Sequence, residues 1–433
     1  MSKVGKLRLG AFMYPAGHHV AAWRHPDTAA DATTSLTQRI AFAQAAERAK
    51  FDLIFLADGV AAHTDDLKSL SRTDEWAVGF EPLTLLSALA VVTERIGLVA
   101  TASTTFNEPF NLARKFASLD QISAGRAGWN LVTSSNPLEL ENFGNISQFA
   151  HQDRYARAEE SADVVLGLWN SWEDDAFLRD KDSGLFFDPQ KLHILGHRGR
   201  HFRVRGPLMV SRSPQGHPVV VQAGSSEAGK ELAARTAEVV FTAQRTLPEA
   251  QSFYADLKGR LEKYGRHPDD LKIMPGVFPV VGRSEAEARE KFEEIQSLIH
   301  PDVGLELLSN LSGGVDLSAY PLDGPLPDLS ETERGKSRQQ LIISPGEKIS
   351  PSVSSTRPSP GRAAIGSLSG QLRPSRTSSK SASTRAAPTA STSCRRPCPA
   401  GSTISSSWSS PSCAAAACSG PNMRAVPFAR ISG

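Results

Sequence analysis

Short apolar, β-rich runs recur along the chain to about residue 281, and most are followed by a segment whose apolar residues repeat with helical period. The runs predict strands at Leu7–Met13, Phe51–Leu56, Ile96–Ala100, Ala127–Val132, Pro218–Gln222, Val239–Thr242 and Ile273–Val281. Between them the spacing predicts helices that include Glu81–Arg95, Pro109–Ile122, Arg154–Trp169, Glu227–Thr236 and Ser284–Ile299. Apolar strands alternating with helices are the pattern of a parallel sheet with crossover helices. Seven such repeats ask for an eighth, because an eight-stranded sheet closes on itself and leaves no edge. The expected fold is therefore α/β, a TIM (β/α)8 barrel, with a doubly wound open sheet as the alternative. Two stretches, Ala62–Gly79 and Asn170–His217, fit no barrel element and are expected to shape the mouth of a site.

The pattern stops near Ser344, and composition changes there too. Residues 345–433 carry eleven Lys and Arg against Glu347 alone, a charge of +10. With +2 for all 433 residues, the first 344 stand at −8. All four cysteines (Cys394, Cys398, Cys413, Cys418) lie in the tail, whereas all five tyrosines and five of six tryptophans lie before it. Serine fills 23 of the last 89 positions, and so few large apolar residues accompany it that the segment cannot bury a core. The domains expected are a barrel over 1–344 and a disordered, low-complexity basic tail over 345–433.

Such a tail reads either as a basic segment that binds nucleic acid or membrane by charge, or as the product of a frameshift. Shifting to the third base of each codon turns TCN serines into Phe, Leu, Ile or Val and CGN arginines into small residues. In that frame an amphipathic helix emerges from Pro399 onward, and a GADGFNVMP-like strand is permitted near Arg385–Arg396. The frameshift is the reading favoured, with the eighth strand and helix lost to it. It leaves neither nucleic acid nor membrane among the expected partners.

No run approaches the roughly 18 apolar residues of a bilayer-spanning helix, and the N-terminus leads into a strand-like stretch rather than a signal-peptide core, so a cytoplasmic protein is expected. Candidate chemistry lies where the expected strands end, the face on which barrels build sites. Asp58 follows the second strand beside Gly59, equally suited to a turn. Thr101, Ser103, Thr104 and Thr105 follow the third, and their hydroxyls suit a polar heterocycle or phosphate, although β-propensity explains threonines as well. Asn130 near the end of the fourth offers donor and acceptor together.

The fifth strand runs into Gly224-Ser225-Ser226 and a helix start, where free N–H groups, helix dipole and hydroxyls converge; a serine N-cap looks the same. His151 and Tyr155 sit i, i+4 at a helix entrance. His18, His19 and His25 cluster with Trp23 and Arg24 after the first strand. No cysteine lies before residue 394 to complete a zinc set, and no metal is expected. No nucleophile-elbow, Walker A or Rossmann glycine fingerprint occurs.

The segments AWRHPD, KFDLIFLADG, LARKFASLDQISAGRAGWNLVTS, LWNSWEDDA, VRGPLMVSRSPQGHPVVVQAGSSEAG and HPDVGLELLS resemble the bacterial-luciferase-like flavin monooxygenases. The similarity is to the group that includes nitrilotriacetate monooxygenase component A, dibenzothiophene-sulfone monooxygenase and the pristinamycin synthase subunit, and it runs from about Leu7 to Ile343. The resemblance implies reduced FMN supplied by a separate NAD(P)H:flavin oxidoreductase, O2 captured as a C4a-hydroperoxyflavin, and oxygenation of a small organic substrate with C–N or C–S cleavage. It implies a homodimer. It also implies that Asp58, Thr101, Ser103, Thr104, Asn130, His151, Tyr155, Gly224, Ser225 and Ser226 bind the cofactor. The catalytic group would be His18, His19, Trp23 and His25, with Arg24, facing the isoalloxazine and substrate. The alternative is a defective, non-enzymatic barrel that at most binds flavin.

Overall fold

The computed structural model describes residues 7–311 except 63, 65, 75, 76, 135, 145–150 and 245, with backbone alone at 151, 152, 310 and 311. Nine strands are described: β1 (Gly10–Phe12), β2 (Leu53–Leu56), β3 (Gly97–Ser103), β4 (Ala127–Val132), β5 (His197–Arg198), β6 (Arg203–Val204), β7 (Val219–Gln222), β8 (Val239–Thr242) and β9 (Lys272–Pro275). The helices are α1 (Leu36–Arg48), α2 (Leu67–Leu70), α3 (Pro82–Ala90), α4 (Pro109–Ile122), α5 (Pro137–Glu141), α6 (His151–Trp169), α7 (Glu227–Thr236), α8 (Leu247–Gly259), α9 (Glu285–Ser297) and α10 (Pro301–Leu311).

Seven strands form one all-parallel sheet in the order β1-β2-β3-β4-β7-β8-β9, while β5 and β6 form a separate antiparallel pair. Neighbours in the sheet follow chain order without reversal, which excludes the doubly wound alternative. The sheet also curls. Phe12 on β1 and Phe55 on β2 each bring their rings 6.0 Å from Phe241 on β8, and a Cβ added to Gly10 would lie 3.1 Å from Met274 of β9. The two ends of the sheet therefore face one another across a filled interior, the arrangement of a nearly closed barrel.

Alternation along each strand sorts its side chains. Phe55, Val99 and Val221 point inward and pack with Phe12, Leu53, Val219 and Val239. Ile54, Leu56, Leu98, Trp129 and Leu131 point outward, where they meet Leu86 and Leu89 of α3, Phe116 of α4 and Leu168 of α6. Inside the barrel Gly128 has no room for a side chain: a Cβ there would stand 3.0 Å from Val99 and 3.3 Å from the Val219 carbonyl.

Four expectations shift at their ends. The first strand shortens to Gly10–Phe12, with Leu7 left 83% exposed, and the last stops at Pro275, beyond which Val281 is exposed. The helix expected to reach Arg95 ends at Ala90, and the Thr93 hydroxyl turns back onto the Leu89 carbonyl. The third strand runs on to Ser103, because Thr101 and Ser103 pair with Asn130 and Val132 of β4. Thr101 and Ser103 are thus part of the wall rather than of the loop after it.

The 170–217 excursion is clipped to the barrel by two acids, the buried Asp120 and the half-buried Glu160. Asp120 accepts from Ala127 N, Gln215 Nε2 and the Ser213 hydroxyl. Glu160 accepts from the His197 ring and from His201 N and Phe202 N, at 3.0, 2.9 and 2.8 Å. Burial alone would raise the Glu160 pKa; these three hydrogen bonds overcome it and bring it down to about 2. The expected eighth strand and the tail over 345–433 lie outside the described residues. Among those residues no helix is long and apolar enough to cross a membrane.

Candidate active site

All seven parallel strands present their C-terminal ends to the same side, and the sequence-predicted residues gather there in three groups. The first lines a cavity of about 490 Å3, within the usual size of small-molecule sites. Its walls are the segment after β1 (Met13–Val20), the segment after β2 (Leu56–Ala62) and the turn from Ala77 to Glu81, with Thr33 and Arg39 closing one side. His18, His19 and Asp58 are among its lining residues.

His18 meets the Phe12 ring at 4.9 Å and the Tyr14 ring at 4.7 Å. His19 is buried. Its Nδ1 accepts from Ala21 N at 3.0 Å, so Nε2 carries the proton and donates to Gln296 Oε1 at 3.2 Å. Solvent reaches Asp58 through the cavity, yet protein surrounds it otherwise. That burial, with Glu81 and Glu139 nearby, raises its pKa to about 6 against one hydrogen bond from Gly59 N.

Because the folded pKa of Asp58 exceeds its unfolded value, ionisation penalises the folded state. The penalty is absent below about pH 4, grows between 4 and 6, and is complete above 6. Asp58→Asn is therefore expected to be more stable than the parent at pH 7.5, by about 1 kcal/mol once screening through the cavity is allowed for. The two Tm values should converge near pH 4; a gap that widened on acidification would refute the assignment.

The second group lies on the inner wall. Thr101 and Asn130 continue the inward face of Val99 and Gly128. Thr101 Oγ1 donates to the Leu56 carbonyl at 2.7 Å and receives Asn130 Nδ2 at 2.9 Å. Asn130 Oδ1 is buried with no partner among the described residues, an acceptor left for something else to satisfy. Ser103 receives Ser134 Oγ at 2.9 Å and Thr105 N at 3.1 Å, and Thr104 Oγ1 returns to the Val132 carbonyl at 3.2 Å.

The third group is the turn between β7 and α7. A Cβ on Gly224 would lie 2.9 Å from Gly229 Cα, so two bare backbones meet where the strand enters the helix. Ser226 caps α7 by accepting Gly229 N at 3.1 Å, and the Tyr155 hydroxyl stands 3.1 Å from the same oxygen. The first N–H groups of α7 have no intrahelical acceptor and, with Ser225, form a cradle suited to a phosphate. Arg260 steadies that helix by bridging Glu227, Glu231 and Asp256 at 2.7, 2.9 and 2.8 Å. His151 begins α6, one turn ahead of Tyr155.

Trp23, Arg24 and His25 do not line the cavity. Trp23 donates to the Arg72 carbonyl, Arg24 to the Leu298 carbonyl, and the His25 ring accepts from Asp27 N. The cavity also holds residues that sequence reasoning missed: Arg39, Asp74 and Phe80. Arg39 had a faint signal, since it falls in register with Ala43 and Ala46 on the buried face of α1.

The profile of the luciferase-like monooxygenases matches residues 16–337. The chain belongs to the luciferase-like monooxygenase family. It is 52% identical over 349 residues to the N-acetyl-S-(2-succino)cysteine monooxygenase of Bacillus subtilis (strain 168), covering 80% of this chain and 78% of that one. With nitrilotriacetate monooxygenase component A of Aminobacter aminovorans it shares 50% identity over 345 residues, covering 78% and 76%. A crystal structure of a riboflavin lyase with modified FMN and substrate riboflavin superimposes with a TM-score of 0.67 at 32% identity, covering 74% and 73%. The enzyme is thus a monooxygenase of this family, and the barrel expected from the strand repeats is the family's fold.

Proposed function

We propose that this monooxygenase binds FMN, receives it reduced from a separate NAD(P)H:flavin oxidoreductase, and oxygenates a small organic substrate with C–N or C–S cleavage. It would act in the cytoplasm as a homodimer. The observation that carries the reading is the Gly224–Gly229 contact, which bares a helix N-terminus beside Ser226 and Tyr155 at the mouth of the barrel. The residues present fit the cofactor: the cradle suits a phosphate, and the orphaned Asn130 Oδ1 suits a polar ring edge.

Reduced FMN, when bound, supplies the electrons with which O2 yields one oxygen atom to the substrate and one to water. The chain's own residues do the remainder. Ser225, Ser226 and Tyr155 hold the phosphate, and Thr101, Asn130, Ser103 and Thr104 orient the ring system. Phe12, Phe55 and Phe241 fill the barrel beneath and exclude water. His18 and His19 stand on the cavity wall within reach of the substrate, and Asp58 can hold or release a proton near pH 6.

Anaerobic equilibrium binding of reduced FMN and reduced riboflavin tests this. FMN should bind at least about 10-fold more tightly, since only it carries the phosphate. Equal affinities would remove the phosphate cradle from the argument.

A second reading, a defective barrel that at most binds flavin, is favoured by one observation. Among the described residues β1 pairs only with β2, and β9 only with β8. On that reading residues 345–433 are an out-of-frame tail, and the domain proper is 1–344.

A further inference from the structure

One cation on the cavity wall has no part in the flavin reading. Arg39 is 7% exposed, and its Nη2 donates to the Thr33 carbonyl at 2.8 Å. The Phe80 ring lies 5.8 Å from its Cζ, and its Nε is buried with no hydrogen-bond partner. No carboxylate among the described residues lies within the 4.0 Å of an ion pair with it. Burial lowers its pKa, opposed at longer range by Tyr14 and then Asp74, and the Asp74 carboxylate accepts the Thr33 hydroxyl at 2.5 Å instead of pairing with it. Glu81, also on the wall, is occupied in capping α3 through Leu83 N and Thr84 N.

A guanidinium taken out of water without a carboxylate in direct contact is costly, and buried charges are as a rule paired. The planar fork of an arginine matches a carboxylate better than any other common organic anion except phosphate. The cavity around it mixes polar groups, among them His18, His19, Asp58 and Asn142, with Met13, Val60, Val78 and Phe80, which offer surfaces for a carbon skeleton.

We propose that Arg39 binds a carboxylate of the substrate and so makes the cavity selective for a small organic acid. This rests on the reading that the cavity receives the substrate of the monooxygenase. It is independent of which residues hold the flavin.

Direct binding to the full chain, free of flavin, tests it by calorimetry with two acids as probes, N-acetyl-S-(2-succino)cysteine and nitrilotriacetate, and their methyl esters. At least one acid should bind, its ester about 10-fold or more weaker, and Arg39→Met should lose a similar factor for the acid while leaving the ester unchanged. Arg39→Lys should fall between, keeping the charge but not the fork. Should Arg39→Met fail to fold, the acid-to-ester ratio of the parent and of Arg39→Lys decides. Acid and ester binding alike, no binding of either acid, or parent-like acid affinity in a folded Arg39→Met would each overturn the proposal. FMN binding measured on the same samples separates the two readings: its loss would remove the flavin assignment and leave the Arg39 result standing, and the reverse holds equally.

Discussion

Gly229→Val is expected to lower FMN affinity by about 100-fold or more while leaving riboflavin affinity nearly unchanged. The argument is steric. A Cβ at this position would meet Gly224 Cα at 3.0 Å and the oxygens of both Ser226 and Tyr155 at 3.1 Å. None of these neighbours can retreat cheaply: Gly224 Cα is backbone, Ser226 is the helix cap, and Tyr155 is packed into the main core from α6. Two further methyl groups would push the start of α7 away from the end of β7, and with it the N–H groups and hydroxyls proposed to receive the phosphate. The rest of α7 stays tied by Arg260 and by Lys230, which contacts Asp256 at 2.6 Å, so the barrel should still fold. Circular dichroism would confirm the fold, and fluorescence titration with FMN and riboflavin would give the two affinities. If Gly229→Val weakened both ligands equally, the defect would lie in the barrel and not in a phosphate site.

The second large effect concerns the end of the sheet. Seven strands curl far enough for Phe12 to approach Phe241, but the outer edges of β1 and β9 carry no partner among the described residues. Closing a barrel of this family's type takes eight strands. The family match ends at residue 337, just ahead of the serine-rich segment. Sequencing the gene across the codons for Gln339 to Ser355 should reveal an inserted or deleted base.

A gene restored to the shifted frame should then give a protein with FMN-dependent oxygen uptake, whereas the 433-residue chain as written should be recovered in soluble form in smaller amount, enough for binding measurements, and turn over no measurable substrate. Sustained turnover by the purified chain as written would sink the frameshift reading, and so would an insoluble product from the restored frame.

What sequence could reveal followed from the range of the interactions involved. The span Ala127–Val132 is recovered at both ends because apolar residues stand at its two ends and Trp129 and Leu131 anchor its outer face, with Asn130 the one polar interruption. The Gly224–Ser226 turn was legible for a related reason: cap, glycine contact and helix start lie within six residues of one another. His19 was visible as a candidate, but its partner Gln296 lies 277 positions away, and nothing local announces that bond. Trp23 and Arg24 carry the same ambiguity, since their partners are carbonyls at 72 and 298. Arg39 showed only the register that buries it with Ala43 and Ala46; the cavity it lines is completed by Asp74 and Phe80, on a segment with no periodic pattern to locate it. The third strand runs beyond the end its apolar residues predict because Thr101 and Ser103 bear hydroxyls, and propensity alone does not distinguish a strand end of that kind from a loop.

Strand order bears on synthesis as well as on architecture. Each strand of the large sheet pairs with the one made just before it, apart from the excursion between β4 and β7. A ribosome therefore releases a sheet that grows by accretion, and every new strand finds its template already in place. Only closure needs the first strand and the last together. A lesion early in the gene would leave nothing to build on, but one near its end yields a large, almost assembled body with two adhesive rims. Such a product is a natural client for chaperones and a natural target for proteases, and its abundance in the cell would depend on them more than on its own transcription.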